Sequence, residues 1–186
     1  MTHRLPRLLA TVAIMAACST SALAASKLKS ARATAPAPTP YAEAVLRDAT
    51  GKIAGKVTLL PEGHMLEGSI SVTGGLTPGQ HGMHIHTIGK CTGPDFASAG
   101  GHLNPEGKQH GLENPLGAHE GDLPMLTADA NGAGSLDFTA HSSFDALFDA
   151  DGSAFVIHAA PDDMKTDPTG NSGARVLCGV FEKKSG

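Results

Sequence analysis

The chain has 186 residues and a formal net charge of −4, with no Trp, one Tyr, 23 Gly and ten His. That length suits one domain with a short appendage, and the negative balance, with no cluster of Lys and Arg anywhere, excludes a nucleic-acid backbone as partner. Without Trp the core must be built from Val, Leu, Ile, Ala and Phe, and so much Gly fits many turns between short strands better than a helical bundle.

The chain opens with the pattern of an export signal over residues 1–24. Arg4 and Arg7 supply a positive start, residues 8–17 an apolar run too short to span a bilayer, and Ala22-Leu23-Ala24 a small-x-small cleavage site. The same leader contains Met15-Ala16-Ala17-Cys18, which resembles a bacterial lipobox. On that second reading the signal is 1–17, and Cys18 becomes a lipid-anchored N-terminus. Both readings export the protein, and no later apolar run predicts a transmembrane segment. Residues 25–40, rich in Ala, Pro, Ser and Thr, are expected to be an extended linker.

The folded domain is expected over 41–183. Period-two alternation predicts strands at 42–47, 53–59, 66–72, 82–86, 124–128, 134–139, 154–158 and 176–181. Pro61-Glu62-Gly63 turns between the second and third, and Asn131-Gly132 between two later ones. About eight short strands without a long amphipathic helix predict an all-β, antiparallel sandwich or barrel. Two stretches, 90–122 and 161–173, carry Gly, Pro, His and Asp without alternation and are expected to be functional loops. In an exported protein Cys91 and Cys178 are an even pair that favours a disulfide; a metal–thiolate role is weaker, since neither has a second cysteine nearby.

Candidate chemistry concentrates in the histidines. His84 and His86, two apart on one strand, project to one side, a start for a copper or zinc site or simply two half-exposed strand histidines. His81, before Gly82, is expected to make a structural hydrogen bond. His102, His110, His119 and Asp122 offer three imidazoles and a carboxylate, a closed tetrahedral set suited to Zn²⁺, within a loop that has little apolar burial to order it. Taken singly, His158 at the end of an apolar strand suits the core, and Arg175 suits a surface charge.

Together these segments resemble the copper/zinc superoxide dismutases, bacterial periplasmic branch. The resemblance rests on His81-Gly82-Met83-His84-Ile85-His86, on Ser98 to Pro105 (SAGGHLNP), on His110-Gly111, on His119 to Pro124 (HEGDLP), on Val156-Ile157-His158-Ala159, and on Gly170 to Val180 (GNSGARVLCGV). It implies an eight-stranded Greek-key fold and dismutation of superoxide to dioxygen and hydrogen peroxide in the cell envelope. It implies copper at His84, His86, His102 and His158, and zinc at His102, His110, His119 and Asp122, with His102 bridging as an imidazolate and taking up a proton. Asp162 would bond both His84 and His110, Cys91 and Cys178 would form the family disulfide, and Arg175 would guide the anion. Met83 and Leu103 stand where Phe is usual, Thr87 where Glu is common, and Lys165 is the only basic residue of 161–173 before Arg175, which leaves the other steering charges open. A periplasmic copper-binding or copper-delivery protein is the alternative; it would need neither Arg175 nor a zinc set. A zinc hydrolase would need an open coordination position that Asp122 closes. A homodimer is compatible with the resemblance.

Overall fold

The computed structural model describes residues 39–186; the expected export signal, Cys18 and most of the linker lie outside the described residues. Among the described residues there are nine strands: β1 (Pro40–Arg47), β2 (Ile53–Glu62), β3 (Met65–Val72), β4 (Gly79–His81), β5 (Met83–His86), β6 (Leu126–Ala128), β7 (Gly134–Ala140), β8 (Ala154–His158) and β9 (Arg175–Ser185). One short helix, α1 (Phe144–Leu147), is capped by the Ser143 hydroxyl, which accepts from the Ala146 N–H. Seven strands form a curled antiparallel sheet in the order β5-β8-β9-β1-β2-β3-β7, and β4 pairs with β6 in a second, two-stranded sheet.

The strand expected over 82–86 is thus two. The chain leaves β6 at His81 and joins β8 at Met83, changing partner at Gly82. A side chain at Gly82 would press on Ser172 and Asp162, so this corner needs a glycine for close approach. Strand β6 is shorter than its alternation suggested because Pro124 offers no N–H to a ladder. By contrast, β9 runs four residues past its expected end, paired with β1 from Pro40↔Ser185 to Arg47↔Cys178.

Alternation does the packing. Ala42, Ala44 and Leu46 of β1, Val57 and Leu59 of β2, and Leu66 and Ile70 of β3 face one core with Ile85, Phe155, Ile157 and Leu177. Met83 and Leu103 are both buried there, so the two departures from the family pattern are accommodated by apolar packing. The opposite face of β8 is covered too: Ala154 and Val156 pack against Phe96, Ala99 and Cys178. Cys91 and Cys178 form a disulfide across 87 residues, a closure that contributes about 4–5 kcal/mol in the chain-entropy account. It ties the loop after β5 onto β9, an interior strand of the sheet. No helix among the described residues is long and apolar enough to cross a membrane.

Candidate metal centre

Strand β5 is where the site begins. Met83 and Ile85 point into the core, so His84 and His86 must point out of the opposite face. That face is not left to solvent. The loop that follows returns along the edge of β5 that β8 leaves free: Ile85 N–H donates to Gly121 O and Leu103 N–H to Ile85 O, at 2.9 and 2.8 Å. The pairing sets His86 opposite His102 and His84 opposite Asp122. On β8 the register slips by one residue between Ile157 and His158, and His158 then pairs with Arg175. His158 shares the face of Val156, and so of His84, by ordinary alternation. The extra residue is Val176 on β9, which packs beside Leu177 against the core, and that bulge re-aims Arg175 to the side of His158.

Seven residues converge: His84, His86, His102, His110, His119, Asp122 and His158 are all buried. Four of the six rings are held by the outer nitrogen. His84 Nε2–H donates to Asp162 Oδ2 at 2.6 Å and His110 Nε2–H to Asp162 Oδ1 at 3.0 Å. His86 Nδ1–H donates to Gly100 O at 2.9 Å and His158 Nδ1–H to Gly173 O at 3.1 Å. Such partners set the tautomer and leave the other nitrogen bare. The bare atoms are His84 Nδ1, His86 Nε2, His102 Nε2, His110 Nδ1, His119 Nδ1 and His158 Nε2, all buried without a hydrogen bond. Six orphaned nitrogens in one place would be a large energetic fault, unless an ion accepts their lone pairs.

They sort into two groups about one ring. Donor atoms of His84, His86, His102 and His158 lie within 4.8 Å of one another. On the other side of His102, three Nδ1 atoms surround Asp122 Oδ1: His110 at 2.9 Å, His102 at 3.0 Å and His119 at 3.3 Å. A tetrahedral ion with bonds of about 2.0–2.1 Å has ligand–ligand edges of about 3.3 Å, so this spacing fits zinc. The His110 and His119 contacts are short yet lack hydrogen-bond geometry, as expected of lone pairs aimed at a shared point. Asp122 is itself pinned, its Oδ2 accepting from the backbone N–H of Gly111 and His119 at 2.8 and 2.9 Å. Proximity alone also places His84 beside His102, His110 and Asp122. Its one bare nitrogen can serve a single ion, and the bare Nδ1 of His119 lies on the Asp122 side, 3.3 Å from Oδ1.

Electrostatics favour the neutral, ligating form at four of the rings. Burial, with mutual repulsion among the rings, pushes His84 down to about 3, His86 to about 2 and His158 to about 4, and lowers His102 as well. These imidazoles are therefore neutral near pH 7, the form that binds a metal. Burial works against charging His110 too, but Asp122 and Asp162 together raise it to about 9. Burial opposes ionisation of Asp122 and Asp162; the close imidazoles of His102 and His110 beside the first, and the hydrogen bonds from His110 and His84 to the second, hold both well below the usual carboxylate range.

A cleft of about 410 Å³ opens onto this cluster, lined by His86, His102, His119, His158, Lys108 and Arg175 among others. Half-buried Arg175 is locked in place: its Nη1 donates to Phe96 O and its Nη2 to Gly100 O, at 2.7 and 2.6 Å. The Gly100 carbonyl therefore holds both the guanidinium and the His86 ring. Lys165 is elsewhere, exposed and 2.8 Å from Glu113. Lys108, on the loop between His102 and His110, is the second basic residue of the cleft; sequence reasoning passed over it because nothing in a one-dimensional pattern says which loop faces the opening. A slightly larger hollow beside the disulfide, lined by Val45, Asp48 and Glu182, contains no histidine. His81 does make its structural bonds, with its ring nitrogens 2.7 Å from His158 O and 2.8 Å from Thr77 O.

Comparison with known proteins gives these groups a family. Residues 53–181 match the family model "Copper/zinc superoxide dismutase (SODC)". A copper-zinc superoxide dismutase of Caulobacter vibrioides is 44% identical over 151 residues, covering 76% of this chain and 85% of the relative. Among solved structures, a superoxide dismutase-like protein from Bacillus subtilis superposes with a TM-score of 0.70 at 40% identity, over 74% of this chain and 96% of the other. The Cu/Zn superoxide dismutase from Brucella abortus gives 0.64 at 31% identity, over 76% and 99%. With a match of this extent laid over a buried cluster of metal-binding side chains, the chain belongs to the copper/zinc superoxide dismutase family, enzymes that dismutate superoxide with copper and zinc.

Proposed function

We propose that His84, His86, His102 and His158 hold the copper, and that His102, His110, His119 and Asp122 hold the zinc. The observation that carries this assignment is the set of six bare, buried ring nitrogens divided about His102. Bound copper supplies one-electron redox chemistry, and bound zinc supplies a fixed charge that does not change oxidation state.

The protein's own groups do the rest. His102 faces one group with Nε2 and the other with Nδ1, so it would serve both as an imidazolate; in the alternate state, with Nε2 released, that atom would hold one of the two protons the peroxide takes up, the other coming from solvent. Asp162 keeps His84 and His110 from turning and couples the two halves of the centre through one carboxylate. Arg175 and Lys108 attract the small anion to the cleft, although the chain as a whole is negative, because a narrow low-dielectric opening focuses local charge; superoxide dismutase is a standard instance of such steering. Oxygen and peroxide, once uncharged, have no reason to stay.

The leader places this activity outside the cytoplasm, with residues 25–40 as linker and 41–183 as the catalytic domain. Protection of the cell envelope from superoxide follows from that location. Intact mass of the exported protein separates cleavage after Ala24 from lipidation at Cys18. The alternative of a copper-delivery protein is disfavoured by Arg175, which is fastened over the cleft by two hydrogen bonds that metal delivery does not need. The deciding experiment is superoxide decay catalysed by protein reconstituted with copper and zinc, across ionic strength. A near diffusion-limited rate that falls with salt is expected; tight binding of both metals with no rate above buffer would select copper handling instead.

A further inference from the structure

His119 differs from the other rings. His84, His86, His110 and His158 each have the outer nitrogen hydrogen-bonded, and His102 turns both nitrogens inward. The outer nitrogen of His119, Nε2, makes no hydrogen bond among the described residues, and the acidic group in reach of it is Asp167, whose Oδ1 is 3.6 Å away. That gap is too narrow for a water molecule and slightly too wide for a direct hydrogen bond, so a small tilt of the ring closes it. The same Oδ1 already accepts from the His110 backbone N–H at 2.7 Å. Asp167 therefore reaches across from the 161–173 loop to two adjacent members of the zinc group.

Its position is otherwise hard to justify. Asp167 lines the cleft that Arg175 and Lys108 make attractive to an anion, and its side chain is 49% exposed there. A free carboxylate at that opening repels the substrate. Pairing with the ring N–H of a metal-bound histidine gives the charge a use and partly neutralises it.

We propose that Asp167 is a positioning residue for zinc: it accepts from His119 Nε2–H, fixes the tautomer that presents Nδ1, and ties both His110 and His119 to the second loop. The inference rests on the zinc assignment above. Oriented partners of this kind typically change metal affinity by about 10–100-fold when removed. The test compares D167A, D167N and D163A in the full chain, reading zinc affinity by chelator competition and the His119 Nε2–H resonance in the reduced, diamagnetic holoenzyme. Asp163 is the control because it braces the same loop, accepting from Lys165 N–H, Thr166 N–H and Asn171 Nδ2–H, without touching a histidine.

The expected result is that D167A weakens zinc by about 10–100-fold and loses the resonance. D167N, which keeps an acceptor oxygen, stays within about threefold and keeps it, and D163A behaves as the parent. Zinc affinity unchanged in D167A, a resonance that survives there, or an equal loss in D163A would overturn the proposal. D122A separates the two levels of inference. If it still binds zinc, the zinc assignment itself fails; if it loses zinc while D167A does not, only the role of Asp167 fails.

Discussion

Gly170 offers a measurement in which one methyl group tests how the centre is held. It sits at φ +62°, and a Cβ there would overlap the Asp162 carboxylate and His110 Nε2, two buried groups that cannot swing into solvent. Gly170 also anchors its own loop, donating N–H to Thr166 O at 2.7 Å and accepting from Asp163 N–H at 2.8 Å. In Gly170→Ala the left-handed backbone costs about 1–2 kcal/mol. Displacing Asp162 from His110 loses a charge-assisted hydrogen bond of about 1.5–3 kcal/mol. The sum is about 3–5 kcal/mol, a fall in Tm of about 8–16 °C. Gly63→Ala isolates the backbone part, because Gly63 has the same φ of +62° with nothing within 4 Å of its would-be Cβ. It should lose only about 1–2 kcal/mol, or about 3–6 °C. Thermal unfolding of both variants in the metal-loaded form, with zinc competition alongside, is the assay. Equal Tm losses in the two, with unchanged zinc affinity in Gly170→Ala, would refute the claim that Gly170 exists to admit the Asp162–His110 bond.

Neutralising the cleft should act on rate rather than on metal content. Arg175→Ala is expected to lower the second-order rate by about tenfold and flatten its ionic-strength dependence; an unchanged rate and salt slope would remove the guanidinium from substrate capture. Lys108→Ala should lower the low-salt rate by about twofold while Lys165→Ala leaves it alone, since only the first lines the cleft; the opposite order would mean that the lining does not report the path of the anion. Removing the disulfide as Cys91→Ser with Cys178→Ser should cost about 4–5 kcal/mol in denaturant unfolding. The same variant should also lose rate, because Phe96 O and Gly100 O, which hold Arg175, belong to the loop that Cys91 tethers. Full stability in the double variant would contradict the loop-closure argument.

Much of this protein was legible without coordinates. Strands alternate because side chains two apart must share a face, so the apolar face of β1, β2 and β3 could be read residue by residue, and so could the common side of His84 and His86. Residue chemistry was equally local: three imidazoles and a carboxylate in a Gly-rich loop suit zinc wherever they fold. The identification of His158, Arg175 and Asp162 needed the family pattern, because one His, one Arg and one Asp carry no spacing signal of their own.

Other features belong to the tertiary structure alone, because they depend on which segments meet. The break at Gly82 arises from a change of strand partner, and alternation is blind to partners. Nor does alternation reveal the slip between β8 and β9 that turns Arg175 toward the cluster, since a bulge is a mismatch between two strands rather than a property of one. The carbonyls of Gly100 and Gly173 orient His86 and His158, yet a backbone acceptor leaves no mark on side-chain composition. Which loop charges line the cleft was open for the same reason: Lys108, Lys165 and Asp167 are alike in sequence as exposed loop charges, and only the packing of one loop against another separates a wall of the cleft from its outer surface. Local periodicity and ligand chemistry are written along the chain; contacts between segments remote in sequence are decided when the sheet curls and the disulfide closes.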